Sequence, residues 1–257
     1  MSTVRIVFPE YNNSIIQEAI KRMAGEIVAI EASNLRDGCE MVSRGDADAI
    51  VAGIDYTSRD VILAARDYLG VKDKTFSASF LMQRRQGSEW QRVIIADAAA
   101  CKNPTAEQLF DIACQTHETA LATLDESPRV AFLSFSTFGS GGHDPSMDKI
   151  QEVLERLHKE RPDIIADGEM QLDAAINPTV GAKKAPHSEV AGRANVLICP
   201  DLNSGNILYK SLEQFGGFVA AGPILQGFKS PISDLSRGSS VEDVILVIET
   251  MKKLVKE

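Results

Sequence analysis

Metal-binding spacings are missing from this chain of 257 residues. Its four cysteines (Cys39, Cys101, Cys114, Cys199) form no CxxC pair and its four histidines (His117, His143, His158, His187) form no HExxH. That argues against a metal site of ordinary spacing, and cysteines so few and scattered make no disulfide framework. No apolar run approaches the roughly 20 residues of a membrane-spanning helix. The amino terminus, MSTVRIVFPE, shows no basic segment leading into an apolar one, so no secretion signal is read and a soluble, cytoplasmic protein is expected. Positive charge is also short, with 27 Lys and Arg against 36 Asp and Glu and a formal net charge of −9. Nucleic acid and anionic membranes reward a basic face, so neither is expected as a partner. A small anion held by a few cations stays open. Aromatic residues make up only 6%, yet 44% hydrophobic and 25% charged residues are the proportions of an ordinary folded protein.

Short β-branched runs alternate with longer amphipathic stretches along most of the chain. Candidate strands are Arg5–Phe8, Glu26–Ile30, Ala47–Ala52, Val130–Phe135, Ile164–Ala166, Asn195–Ile198 and Phe218–Ala221. Between them apolar residues recur at helical spacing, as in Ile15, Ile16, Ala19, Ile20 and Met23. The alternation predicts an α/β fold built of βαβ units around a mostly parallel sheet. One stretch breaks it: Thr75–Gln83 and Gln91–Ala98 are strand-like with no room for a helix between them, which predicts an antiparallel hairpin and a subdomain or interface arm. A last helix, about Val241 to Val255, should be capped by Ser239 or Ser240, with Lys252, Lys253 and Lys256 near its carboxyl end.

Three polar loops follow predicted strands, where parallel sheets bind ligands. In Ser134–Gly142 (SFSTFGSGG) the hydroxyls of Ser136, Thr137 and Ser140, with backbone N–H groups around Gly139 and Gly141, would cradle a phosphate; the alternative is a flexible linker. In Pro200–Lys210, Asp201, Asn203 and Asn206 either face a ligand or simply cap a helix. In Ser233–Asp243 (SDLSRGSSVED), Arg237 among serines is a candidate anion clamp with Asp243 as a nearby base, or else an ion pair with Asp234 or Asp243. Asp46 and Asp48 read as a polar turn, and His143 as either an acid–base group or a solvent-facing loop residue.

These segments together resemble the phosphate acetyl/butyryl transferase family. The resemblance is carried by NPTAEQL (Asn103–Leu109), RVAFLSFSTFGSG (Arg129–Gly141), DGEMQLDAAI (Asp167–Ile176) and KAPHSEVAGRANVLICPDLNSGNILYK (Lys184–Lys210). It continues through GPILQGF (Gly222–Phe228) and DLSRGSSVED (Asp234–Asp243), and more weakly through RIVFPE (Arg5–Glu10) and GDADAIVAG (Gly45–Gly53). It implies two α/β domains of the isocitrate/isopropylmalate dehydrogenase-like type, 1–72 plus 228–257 and 73–227, an active site in the interdomain cleft, and a homodimer. It also implies the reaction acyl phosphate + coenzyme A ⇌ acyl-CoA + phosphate, with no metal or redox cofactor.

In that reaction the thiol, with an ordinary pKa of about 8.5, loses its proton before attack, and a positioned carboxylate accelerates such a step by roughly 10²–10⁴. The resemblance gives the carboxylate role to Asp243 and the phosphoryl contacts to Arg237 and Ser236. Ser136, Thr137, Gly139 and Ser140 would lie near the acyl phosphate, and Asn206 joins them as a substrate contact. Three departures thin the coenzyme A end. The stretch between Ile30 and Asn34 is shortened, removing an arginine of an LRKxKG-like segment. Leu63 stands where a TLRPA-like segment has arginine, with Tyr56 for a histidine. Phe138 replaces a lysine. Arg59, or else Arg66, is expected to substitute for the arginine missing at Leu63, Arg59 being preferred. Acetyl phosphate is the expected substrate. Rival readings are a propionyl- or butyryl-specific acyltransferase and a non-catalytic acyl-phosphate or coenzyme A binding relative. A dehydrogenase is disfavoured by the lack of a metal-binding aspartate cluster or a dinucleotide fingerprint.

Overall fold

The computed structural model describes residues 3–255, so Lys256 lies outside the described residues. In chain order the elements are β1 (Val4–Phe8), α1 (Ser14–Arg22), β2 (Ile27–Glu31), α2 (Leu35–Arg44), β3 (Ala49–Ala52), α3 (Ser58–Ala64), β4 (Ser77–Gln86), β5 (Glu89–Ala96), α4 (Ala106–Thr123) and β6 (Val130–Leu133). They continue with α5 (Pro145–Glu160), β7 (Ala166–Met170), α6 (Leu172–Ile176), α7 (Pro178–Lys184), β8 (Val196–Ile198), α8 (Leu202–Gln214), β9 (Val219–Gln226), β10 (Ile232–Asp234) and α9 (Val241–Val255). The chain divides into two compact units, residues 1–78 with 219–257, and residues 79–218.

The first unit orders its strands β2-β1-β3-β10-β9. All neighbours are parallel except β10 and β9. That antiparallel pair is why the boundary falls before Val219 and not at residue 228, the position expected from the family pattern. At the other junction, the Lys72 N–H donates to the Gly227 carbonyl at 2.7 Å and the rings of Phe76 and Phe228 pack at 5.8 Å, so residues 73–78 also stay with the first unit. The core takes in Ile6, Phe8, Ile16 and Ile50, all fully buried, each worth about 1.5–3 kcal/mol. Asn13 caps α1 by accepting the Ile15 N–H at 3.0 Å. Between β2 and α2 the chain needs only Ala32, Ser33 and Asn34, and Asn34 caps α2 through the Asp37 N–H. The shortened stretch noted above is thus closed by a tight βα turn.

The second unit orders its strands β4-β5-β8-β6-β7, the hairpin β4/β5 antiparallel and the rest parallel. The hairpin is longer than its sequence suggested. Arg84, Arg85, Gln86, Glu89 and Trp90 belong to the ladder, and only Gly87 and Ser88 turn, Gly87 at φ +64°. Polar side chains at an exposed ladder end do not prevent backbone pairing, and glycine supplies the positive φ of a two-residue turn. A capping box of Thr105 and Gln108 starts α4, and Asp144 caps α5. Helix α8 lies close enough to the end of β5 that a Cβ on Gly205 would stand 2.1 Å from the Asp97 carbonyl oxygen. Gly205→Ala is therefore expected to destabilise the fold by about 3 kcal/mol, seen as a lowered thermal midpoint; an unchanged midpoint would show that the helix shifts freely.

Candidate active site

In the first unit, the carboxyl ends of three adjacent parallel strands, β1, β3 and β10, carry a buried acidic pair. Glu10 follows β1, and its carboxylate accepts N–H bonds from Gly53 at 2.8 Å and from Asp55. Burial pushes the Glu10 carboxyl up, and the amides of Asp55, Gly53 and Tyr56 only partly offset it. Asp234 ends β10 and is 2% exposed, and its Oδ1 has no hydrogen-bond partner. Burial raises its pKa to about 6; the Ser58 hydroxyl beside it lowers it, and the Glu10 charge raises it further. Gly53, at φ +118°, makes room for this group, since a Cβ there would meet Asp234 Oδ1 at 2.5 Å and the Leu235 amide nitrogen at 2.4 Å.

Beyond Asp234 the chain turns through Ser236, Arg237 and Gly238, all exposed. The Ser239 N–H closes the turn onto the Ser236 carbonyl at 2.9 Å. The Arg237 guanidinium makes no hydrogen bond or ion pair among the described residues, so the ion pairs to Asp234 or Asp243 considered above are not formed. Asp243 sits in the first turn of α9. Its Oδ2 accepts from the Ser240 N–H at 2.8 Å and hydroxyl at 2.9 Å, while Ser240 Oγ accepts the Asp243 N–H at 3.2 Å. Of the two serines considered as caps, Ser240 is therefore the one used. Asp243 Oδ1 remains without a partner among the described residues. On α3, Thr57 and Asp60 form a capping box and Arg59 is exposed in the first turn. Arg66, the other candidate cation, is held by Asp67 at 2.7 Å.

In the second unit the loop after β6 is folded inward, contrary to the expected open cradle. The Gly139 N–H donates to Glu169 Oε1 at 2.7 Å, Gly141 N–H to Ser136 Oγ at 2.9 Å, Thr137 N–H to Ser140 Oγ at 3.0 Å and Ser140 N–H to the Thr137 carbonyl at 3.1 Å. The amides expected to face a phosphate are thus already used within the protein. Ser136 and Thr137 are buried, and Thr137 Oγ1 also accepts the Gln171 N–H at 3.0 Å. Phe135 and the run from Phe138 to Gly142 are the exposed members. Phe138 takes a left-handed φ of +46° and leaves its ring 46% exposed. Lys184 Nζ reaches Gln171 Oε1 at 2.6 Å and Asp173 at 3.2 Å.

Asn206 lies in the second turn of α8, half-buried, and the helix is capped instead by Asp201, which accepts the Ser204 N–H at 2.8 Å. His143 is exposed, 3.5 Å from Asp148 on the surface. Neither Glu10 nor Glu169 is among the residues expected from the sequence, and Asp234 enters there only as an ion-pair partner. For each, the available signal was a carboxylate at or just past the carboxyl end of a strand.

A family model for phosphate acetyl/butaryl transferase matches residues 18–251. A phosphate acetyltransferase of Treponema pallidum is 43% identical over 235 residues, covering 88% of this chain and 70% of that protein. One of Clostridium acetobutylicum is 43% identical over 208 residues, covering 79% of this chain and 62% of that protein. The crystal structure of a phosphotransacetylase from Streptococcus pyogenes, 33% identical, superposes with a TM-score of 0.89 over 99% of this chain and 94% of its own.

Proposed function

This chain belongs to the phosphate acetyl/butaryl transferase family, and from that premise we propose that it transfers an acetyl group between acetyl phosphate and coenzyme A. The observation that carries the reading is that one turn and the helix behind it present both an Arg237 guanidinium and a carboxylate oxygen of Asp243 that are without partners among the described residues. Proton, bond and charge then balance with the two substrates alone. The thiol proton passes to Asp243 Oδ1, the thiolate sulfur attacks the acyl carbonyl carbon, and the carbon–oxygen bond to phosphate breaks. Arg237, with a fork of donors suited to two oxygens, and the Ser236 hydroxyl stabilise the charge that leaves with phosphate. The proton held by Asp243 goes out with that product.

From the second unit, the exposed Ser140 hydroxyl is the contact we assign to acyl phosphate, and Gly139, its amide held by Glu169, shapes the turn beside it. Ser136 and Thr137 support it from inside the loop, and Asn206, half-buried on α8, is assigned as a further polar contact. Arg59, exposed on its helix, is assigned to a coenzyme A phosphate. We further propose a cytoplasmic homodimer. Four free cysteines suit a reducing compartment. Helix α8, whose only buried residue is Gly205, presents Ile207 at 66% exposure, and Phe215 just past its carboxyl end is 92% exposed, as a surface awaiting a second copy would be.

The test is thioester formation from coenzyme A with acetyl, propionyl and butyryl phosphates. Turnover highest with acetyl phosphate is expected. Higher turnover with the longer acyl groups would correct the substrate. No turnover at millimolar coenzyme A would overturn the enzyme in favour of a binding protein.

A further inference from the structure

Glu169 holds the Ser136–Gly142 loop at Phe138 and Gly139 with both its side chain and its main chain, as Gln171 does at Thr137. It stands on β7 and is 3% exposed. Its Oε1 accepts the Gly139 N–H at 2.7 Å, and its backbone carbonyl accepts the N–H of the preceding residue, Phe138, at 3.1 Å. Its Oε2 accepts from the Gln151 side-chain amide of α5 at 3.3 Å, and that amide also reaches the Gly168 carbonyl at 3.1 Å. The Ser136 hydroxyl lies beside the same carboxylate, while Ser136 Oγ takes the Gly141 N–H at 2.9 Å. One carboxylate therefore ties loop, strand and helix together.

The shape it imposes is not one the loop would adopt unaided. Phe138 and Gly139 are held at φ +46° and +81° in succession, a conformation that disfavours any side chain at the first position. Burial acts to raise the Glu169 carboxyl, but the donors of Gly139, Ser136 and Gln151 outweigh it and hold the group below the usual carboxylate range. It is thus an anion set behind a loop assigned to an anionic substrate. Direct substrate contact would place two negative groups together, so its use is to shape the loop and not to bind through it.

We propose that Glu169 is a positioning residue for acyl-phosphate binding, fixing the Ser140 hydroxyl in place through the Gly139 amide and the Ser136 hydroxyl. This rests on the assignment of Ser140 to the acyl phosphate made above. Glu169→Gln keeps the size of the side chain but turns one acceptor into a donor facing donors. Two readouts separate its effects: hydrogen exchange of the amides of residues 138–141, and the KM for acetyl phosphate against the KM for coenzyme A.

Exchange at residues 138–141 is expected to speed up by about tenfold or more, as loss of a charged hydrogen bond does. The KM for acetyl phosphate should rise by a similar factor while the KM for coenzyme A stays within about twofold. Gln151→Ala, which leaves the carboxylate and its bond to Gly139 in place, should give the same pattern at smaller amplitude, and decides the matter if Glu169→Gln does not fold. Faster exchange with an unchanged KM for acetyl phosphate would overturn the proposal, as would equal rises in both KM values or unchanged exchange. Absence of turnover in the unaltered protein would instead overturn the assigned reaction, with the exchange result still deciding whether Glu169 shapes the loop.

Discussion

Arg237→Ala is expected to slow thioester formation by roughly 10²–10³, the usual cost of removing one donor aimed at charge that develops in the transition state. The expectation is unusually clean because the side chain has no other employment. It is exposed, bonded to no described residue, and placed on a turn closed by backbone bonds that do not involve it. Its removal should change stability by no more than about 0.5 kcal/mol, so a loss of rate cannot be blamed on unfolding. Arg237→Lys should recover only part of the rate, since an ammonium offers a point charge where the guanidinium offers two parallel donors. Steady-state rates for the three proteins, with thermal midpoints alongside, make the comparison. A rate within threefold of the unaltered protein for Arg237→Ala would remove the clamp from the proposed site.

The place of Arg237 on an exposed, serine-rich turn was legible in the sequence because it needs no partner in the fold. Strands buried on both faces were legible for a similar reason. Every residue of β3 and β6 is buried, and both strands read as unbroken apolar runs. β7 was not, and it was placed too early, at Ile164–Ala166. The strand itself runs Ala-Asp-Gly-Glu-Met, a composition that strands avoid. Its polar residues are tolerated because Glu169 finds donors inside the fold. β10, three residues long, is too short to show a period, and it exists because β3 and β9 flank it. The acidic pair of Glu10 and Asp234 was invisible for a topological reason. Its members stand near opposite ends of the chain and meet only because the sheet order sets β1, β3 and β10 side by side. The loop at Ser134–Gly142 shows the opposite failure: that it follows a strand was legible and its bonding was not, since spacing cannot say that a carboxylate on the next strand will claim the Gly139 amide.

That hidden acidic pair gives the second large effect, on stability. Asp234→Asn should make the protein more stable at pH 8, by up to about 3 kcal/mol, and leave it unchanged near pH 4. The carboxyl titrates near 3.8 ordinarily and at about 6 when folded, because burial and the nearby Glu10 charge oppose its ionisation more than the Ser58 hydroxyl favours it. A pKa raised by folding means that the folded state binds the proton more tightly than the unfolded state. The stabilisation from Asp234 is therefore complete below about pH 3.8 and is lost as the pH rises through 6. Above that, a buried anion persists with one oxygen unpartnered, at about 1.4 kcal/mol per pKa unit. Asparagine has nearly the same shape and no charge to bury, so it escapes that cost at pH 8 and has nothing to escape at pH 4. The repulsion between Glu10 and the Asp234 charge is part of that raised pKa and is relieved in the variant. Thermal midpoints of the two proteins at pH 8 and pH 4.5 decide the point. A gain at high pH that shrinks at low pH is the expected result; an equal change at both would mean that the substitution acts through packing against Gly53, with the charge of Asp234 contributing nothing.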